Sequence, residues 1–210
     1  MTLVAGVDDA GRGPVIGPLV LAGVLIEESG IPKLVSLGVK DSKLLTPKQR
    51  ERLEPKIVEL VVGHKVLYFS PSEVDEYVLN GERLRKLNWL EAKAAAMIIE
   101  ALRPDVAYLD ASDVNPERFG LQVQELVPFP VKIVSKHHSD RDNPVVAAAS
   151  ILAKVNRDRA VAELRKVYGD FGSGYPSDPR TIRFLRDCLR AGGTLPNCVR
   201  KSWKTLKRLE

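Results

Sequence analysis

Residues 3–19, LVAGVDDAGRGPVIGPL, decide how the chain is read. An apolar run from Leu3 to Val7 leads into adjacent carboxylates, Asp8 and Asp9, and then into Gly11-Arg12-Gly13-Pro14, where turn backbone is the natural conformation. The pattern predicts a buried strand that delivers acids to a surface. Side chains alternate between faces along a strand, so Asp8 and Asp9 face opposite ways unless the strand ends or bulges there. Gly11 and Gly13 let backbone N–H groups approach a ligand closely, and Arg12 between them is a fixed cation suited to phosphate. Carboxylates beside a cationic glycine turn suggest metal and phosphate chemistry. Solvation of a strand end is the simpler reading of the motif taken alone, so the rest of the chain has to decide.

Working outward, Pro18–Ile26 (PLVLAGVLI) reads as a second strand, antiparallel to the first. The polar cluster Gly38-Val39-Lys40-Asp41-Ser42-Lys43 precedes a helix whose Thr46, Pro47 and Gln49 form a capping box, with Pro55 expected to kink or restart it. Lys65–Phe69 is a third strand, and Ser70 with Glu73 caps another helix. Leu87–Leu102 carries an apolar stripe ended by Pro104 and reads as core scaffolding. Val106–Leu109 is a short strand ending in Asp110, and Val131–Val134 is a fifth, followed by a loop holding Asp140 and a long helix to about Tyr168. Gly169–Ser177 is a glycine-rich loop closed by Asp178-Pro179 at the start of a further helix.

The 210 residues, 44% hydrophobic and 28% charged, describe an ordinary globular α/β chain and exclude a disordered one. Apolar stretches are broken well before membrane-spanning length and the N-terminus lacks a signal peptide's pattern, so a cytoplasmic protein without a membrane partner is expected. Cys188 and Cys198 have neither the count nor the spacing of a disulfide framework or a zinc site. The net charge of +5 permits a nucleic-acid partner. From Arg180 onward basic residues dominate, with Asp187 and Glu210 the only acids, and the run Arg200–Arg208 is expected to lie on duplex backbone.

Strand–helix alternation predicts an α/β domain whose later strands run parallel to the first, and ligands in such sheets collect at the carboxyl ends of strands. Asp8 and Asp9 end strand one, Asp110 ends strand four, and Asp140 follows strand five. Gathered carboxylates repel unless a cation lies among them, and hard oxygen ligands favour Mg²⁺ or Mn²⁺. Such a site is chemically that of a phosphoryl-transfer enzyme or nuclease.

The segments GVDDAGRGPVIGPLV, GVKDSKLLTP, YLDASDV, HHSDRDNPVVAAASILAKVNRD, GDFGSGYPSDPRT and VRKSWKT resemble, in order and over nearly the whole chain, the archaeal branch of ribonuclease HII. The resemblance implies a ribonuclease H-like fold: a central mixed five-stranded sheet flanked by helices, residues 1–170, with a small helical C-terminal extension, 171–210, packed on it and contacting substrate. It implies a monomer that cuts the RNA strand of RNA–DNA hybrids, and cuts 5′ to single ribonucleotides in duplex DNA, leaving 3′-hydroxyl and 5′-phosphate ends. Recruitment by a sliding clamp stays open.

Carried onto this sequence, the family's metal-binding and catalytic acids fall on Asp8, Asp9, Asp110 and Asp140, with Asp140 rather than Asp142 chosen by counting back from Pro144. The family's mechanism implies two Mg²⁺ or Mn²⁺ ions with substrate bound. Gly11, Arg12 and Gly13 match the turn that reads the ribose 2′-hydroxyl, Tyr175 the tyrosine that stacks beneath the sugar, and Lys40, Ser42 and Lys43 a phosphate-holding cluster; polarity before a helix explains that last cluster equally well. Asp9 stands where the family has glutamate, shorter by one methylene, which predicts weakened metal binding. That departure sustains an alternative, a catalytically weak hybrid- or duplex-binding protein. Type HIII ribonucleases and junction-cutting nucleases share the fold, but the GRG turn and GSGYPSDP argue against both. Asp113 reads as a turn or capping residue, His138 as an exposed loop histidine, and Trp89 and Trp203 as packing residues.

Overall fold

The computed structural model describes residues 1–39, 44–80, 86–192 and 194–209. The chain forms two compact units, one of residues 1–10, 20–67 and 88–156, the other of 11–19, 68–87 and 157–210.

The first unit is organised on a five-stranded sheet. β1 (Leu3–Ala10) pairs antiparallel with β2 (Leu19–Glu27), setting Asp8 opposite Ala22 and Asp9 opposite Leu21. With β3 (Gly63–Phe69), β4 (Val106–Asp110) and β5 (Lys132–Lys136), the strand order is β3-β2-β1-β4-β5. β4 runs parallel to β1, and β5 parallel to β4. A short connection between apolar runs permits the antiparallel pair, whereas parallel neighbours require longer crossovers. The crossover from β4 to β5 carries helix α5 (Pro116–Leu126).

The core of this unit joins β1 and β2 to the start of the 25-residue helix from Pro144 to Tyr168. Ala147, Ala148 and Ala149 on that helix are buried, and Gly6 on β1 explains how close it comes: a Cβ there would lie 2.4 Å from the Val145 carbonyl carbon. No side chain fits between strand and helix at that level. Two shorter helices, α1 (Ile31–Ser36) and α2 (Pro47–Leu60), add Leu34 and Ile57 to the same core.

The capping box forms as the sequence predicts. The Gln49 N–H donates to Thr46 Oγ1 (3.3 Å) and the Thr46 N–H donates to Gln49 Oε1 (2.8 Å). Of the two outcomes expected at Pro55, a restart does not occur: α2 runs through it as one helix. The carbonyl that a proline at 55 leaves without its helical donor is that of Glu51, on the exposed side, where water can serve it.

The second unit contains α3 (Pro71–Asn80) and, in chain order after α4 (Lys86–Leu102) and the four-residue α6 (Ser139–Asp142), the part of the long helix α7 (Pro144–Tyr168) beyond Asn156, then α8 (Pro179–Arg190). Its core is Val15, Ile16, Val161, Phe171, Leu185, Cys198, Val199 and Leu206. α8 is one-sided: Thr181 and Leu185 are buried while Arg183, Arg186 and Arg190 are exposed. Among the described residues no helix is long and apolar enough to cross a membrane.

Candidate functional site

Three of the sequence-selected acids meet in the first unit. One carboxylate oxygen from each of Asp8, Asp110 and Asp140 lies within 4.8 Å of the others. Strand register accounts for the first two. Val7 pairs with Leu109 in the parallel β1–β4 ladder, so the next residues, Asp8 and Asp110, emerge at one level on one face.

Asp140 arrives differently from the expected loop, lying in the first turn of α6, which begins after His138 in left-handed backbone (φ 56°). Histidine is among the few non-glycine residues enriched there, and His138 is exposed as expected. The Ser139 N–H donates to Asp110 Oδ1 at 2.9 Å and ties this turn to the end of β4. The group contains Asp140 and not Asp142.

Burial drives the electrostatics. Asp8 is 6% exposed and Asp140 1%. Burial, then the charges of Asp9 and Asp110, push the Asp8 carboxyl well above the usual carboxylate range, opposed by Lys154 and by a hydrogen bond from Ser150. Lys154 in turn donates to Ser150 Oγ (2.7 Å), so one face of α7 supplies both counterweights. Buried like charges held this close favour a bound divalent cation, and an all-oxygen donor set suits Mg²⁺ or Mn²⁺.

Asp9 does not join the three. Its N–H donates to Asp8 Oδ1 (2.7 Å), and its half-buried side chain lines a recess with Asp8, Asp110, Leu21, Phe119 and Glu91. Glu91, 1% exposed, is a carboxylate that the sequence reading of α4 as scaffolding passes over. Its one signal is an acid placed next to Leu90 in an otherwise apolar stripe. Asp113 anchors the start of α5: it accepts the Asn115 N–H (3.0 Å) and forms a two-point ion pair with Arg118, whose Nε lies 3.2 Å from Oδ2.

The second unit holds the glycine turn and the tyrosine. Gly11 adopts φ 90°, and a Cβ there would lie 2.6 Å from the Pro18 carbonyl oxygen and 2.7 Å from Arg157 Cδ. Tyr175 is 39% exposed, with the Arg157 guanidinium 5.5 Å from its ring centroid and Gly13 beneath its edge. Its loop is held by Asp178, which accepts N–H groups from Ser173 (2.7 Å) and Arg180 (2.9 Å); these bonds keep the Asp178 carboxyl far below the usual range. The Gly174 carbonyl accepts the Val15 N–H at 2.8 Å, joining loop and turn segment.

The expected basic flank needs correction at Arg200, which is fully buried and donates to the carbonyls of Gly11, Arg12 and Gly17. Trp203 also does more than pack, since its indole N–H donates to the Gly13 carbonyl at 3.1 Å. Lys40, Ser42 and Lys43 lie outside the described residues.

A profile of ribonuclease HII matches residues 5–206. The chain belongs to the ribonuclease HII family. Ribonuclease HII of Thermococcus sibiricus is 50% identical over 98% of this chain and 90% of its own length; that of Pyrococcus horikoshii is 43% identical over 99% and 92%. The crystal structure of ribonuclease H2 from Pyrococcus horikoshii OT3 superposes with a TM-score of 0.91, covering 99% of this chain and 97% of that one at 43% identity. The Archaeoglobus fulgidus enzyme, solved in a PCNA:RNase HII complex, gives 0.88 at 42% identity over 99% and 96%. A ribonuclease HIII, Bst-RNase HIII, at 22% identity and a TM-score of 0.81, covering 99% and 69%, shares the ribonuclease H-like fold alone. Family membership makes this chain a ribonuclease H, an endonuclease acting on the RNA of RNA–DNA hybrids.

Proposed function

We propose that this ribonuclease HII also incises duplex DNA on the 5′ side of a single embedded ribonucleotide, with divalent cations held by Asp8, Asp110 and Asp140 and assisted by Asp9. The observation that carries the metal assignment is the approach of three buried or half-buried carboxylates to within 4.8 Å. Two bound Mg²⁺ or Mn²⁺ ions supply charge to activate a water and to stabilise the leaving oxygen. In the hydrolysis, a water oxygen forms a bond to the scissile phosphorus and the bond from phosphorus to the 3′-oxygen breaks. The attacking water gives up one proton and the leaving oxygen takes up one, giving 3′-hydroxyl and 5′-phosphate ends.

Lys154 and Ser150 steady the charge on Asp8, and Ser139 orients Asp110. The Gly11–Gly13 turn reads the ribose 2′-hydroxyl and Tyr175 stacks on its sugar, which separates RNA from DNA by the group that distinguishes them. Lys40, Ser42 and Lys43 hold phosphates along the same strand. The setting is the cytoplasm, with DNA replication and repair as the source of substrate.

A labelled DNA duplex carrying one ribonucleotide, incubated with Mg²⁺ and Mn²⁺ in parallel, tests the reading. A single cut 5′ to the ribonucleotide, lost in Asp110→Asn, is expected; cleavage unaffected by Asp110→Asn refutes it. The position of Asp9 outside the three-carboxylate group favours a second reading, a weakly catalytic duplex binder. No cleavage by the natural chain, with strong cleavage by Asp9→Glu, would establish that reading instead.

A further inference from the structure

The C-terminal segment around Arg200 grips the glycine turn by its carbonyls. Arg200 is fully buried, and its guanidinium donates to Gly11 O (2.6 Å), Arg12 O (3.1 Å) and Gly17 O (3.0 Å). The indole N–H of Trp203 donates to Gly13 O (3.1 Å), and the guanidinium lies 4.7 Å from the centre of that indole. The carbonyls of Gly11, Arg12 and Gly13 are therefore all held by two side chains of one short segment.

That segment is itself fixed. The Arg200 N–H donates to Val15 O and the Gly17 N–H to Cys198 O, both at 2.8 Å. On α3, the buried Asp75 carboxylate accepts the N–H groups of Lys201 (2.6 Å) and Ser202 (2.9 Å) and the Ser202 hydroxyl (2.5 Å).

Peptide geometry turns this grip into an aiming device. In a planar trans peptide the C=O of one residue and the N–H of the next point in opposite directions. Holding Gly11 O fixes the direction of the Arg12 N–H, and holding Arg12 O fixes that of the Gly13 N–H. Holding Gly13 O fixes the peptide to Pro14, which has no N–H. Two consecutive donors are thus directed away from Arg200, in a turn whose glycines would otherwise leave it free to rotate. A guanidinium suits this task because its planar fork serves several acceptors at once, which an ammonium does not.

We propose that Arg200 and Trp203 are positioning residues for ribose recognition: they set the orientation of the Gly11–Gly13 peptides, and through it the enzyme's preference for a 2′-hydroxyl over a 2′-hydrogen. The specificity half of this inference rests on the proposed reading of the turn; the grip itself does not.

The test uses the full chain with Trp203→Phe, which keeps the aromatic ring and removes one donor, and Arg200→Lys, which keeps the charge and loses the fork. Two readouts are taken: amide hydrogen exchange of residues 11–13 against the rest of the chain, and affinity for a duplex with one ribonucleotide against the same all-DNA duplex, with Ca²⁺ in place of Mg²⁺. Trp203→Phe is expected to speed exchange in the turn alone and to lower the ribonucleotide preference about 2- to 10-fold, the worth of one neutral hydrogen bond, with all-DNA affinity unchanged. Arg200→Lys is expected to lower it further. Unchanged exchange at residues 11–13, or equal loss of affinity for both duplexes, overturns the proposal. Faster exchange in the turn together with no ribonucleotide preference in the unmodified enzyme refutes the turn as the 2′-hydroxyl reader, and the specificity role with it, while leaving the grip as a structural fact.

Discussion

The two glycines flanking Arg12 differ in what a methyl group would do, and the difference separates folding from substrate recognition. Gly11 sits at φ 90°, where an L-residue costs about 1–2 kcal/mol from local sterics alone. Its Cβ would also meet the Pro18 carbonyl oxygen at 2.6 Å, a backbone atom that cannot swing aside, and Arg157 Cδ at 2.7 Å. Together these place Gly11→Ala at about 2–4 kcal/mol of lost stability, within the range of a strained backbone site. For a chain of 210 residues that is a fall in Tm of roughly 4–16 °C. Gly13 carries no such strain, and its nearest neighbour would be Tyr175 Cε1 at 3.4 Å, ordinary contact. Gly13→Ala should leave Tm unchanged or raise it slightly, because alanine reduces the freedom of the unfolded chain by about 0.4–1 kcal/mol. The methyl group would nevertheless stand between the turn and the tyrosine ring. A displacement of about 1 Å at a reacting group costs on the order of 10²-fold in rate, so cleavage of the ribonucleotide duplex should fall by about 10- to 100-fold. Calorimetry and single-turnover cleavage on both variants decide the matter. Gly13→Ala with full activity, or Gly11→Ala with unchanged Tm, refutes the reasoning.

Three further outcomes are expected. Because Asp8 is held above its unfolded pKa, its ionised form opposes folding at neutral pH. Metal-free stability from this group should rise as pH falls through the raised value, and Mg²⁺ should raise Tm at about pH 8 by roughly 5–10 °C at a hundredfold excess over Kd, an effect that shrinks on acidification. A Mg²⁺ effect independent of pH would count against the carboxylate site. Arg118→Ala, which leaves Asp113 buried without its cation, should cost about 1–3 kcal/mol by thermal unfolding and leave the metal midpoint unchanged; a shifted midpoint would make Asp113 part of the metal site. Replacing Arg183, Arg186 and Arg190 together by Gln should lower the salt dependence of duplex binding by about 1–3 in log–log slope without altering single-turnover rate at saturation, and an unchanged slope would remove α8 from the substrate contact surface.

The fold was legible where the chain repeats a local pattern. Apolar runs bounded by turn residues locate all five strands to within about three residues at either end, and caps at Thr46, Ser70 and Asp178 mark helix starts because each is a contact between residues only two or three apart. Pro55 misleads as to a restart for the complementary reason. A proline rule is local, whereas the persistence of α2 depends on Ile57 being drawn into a core assembled from distant segments. Asp140 lies in a helix too short for periodicity to reveal, set up by one histidine in left-handed backbone.

The same distinction runs through the site. Asp8 and Asp110 were legible because each follows the apolar run of its strand, although β1 continues past Asp8 to Ala10, and two parallel strands in register present the acids that follow Val7 and Leu109 at one level. Arg200 was not, because in sequence it heads a run of basic residues, Arg200-Lys201 and then Lys204, Lys207 and Arg208, that looks uniformly solvated. What sets it apart is a set of acceptors 183 to 189 residues earlier, which composition and spacing cannot encode. A buried guanidinium is tolerated only where hydrogen bonds replace its water, and here three backbone carbonyls do so. The desolvation that makes Arg200 costly to bury also makes its bonds to the turn hard to exchange for water, which gives the turn the rigidity that the proposed reading of a single hydroxyl group requires.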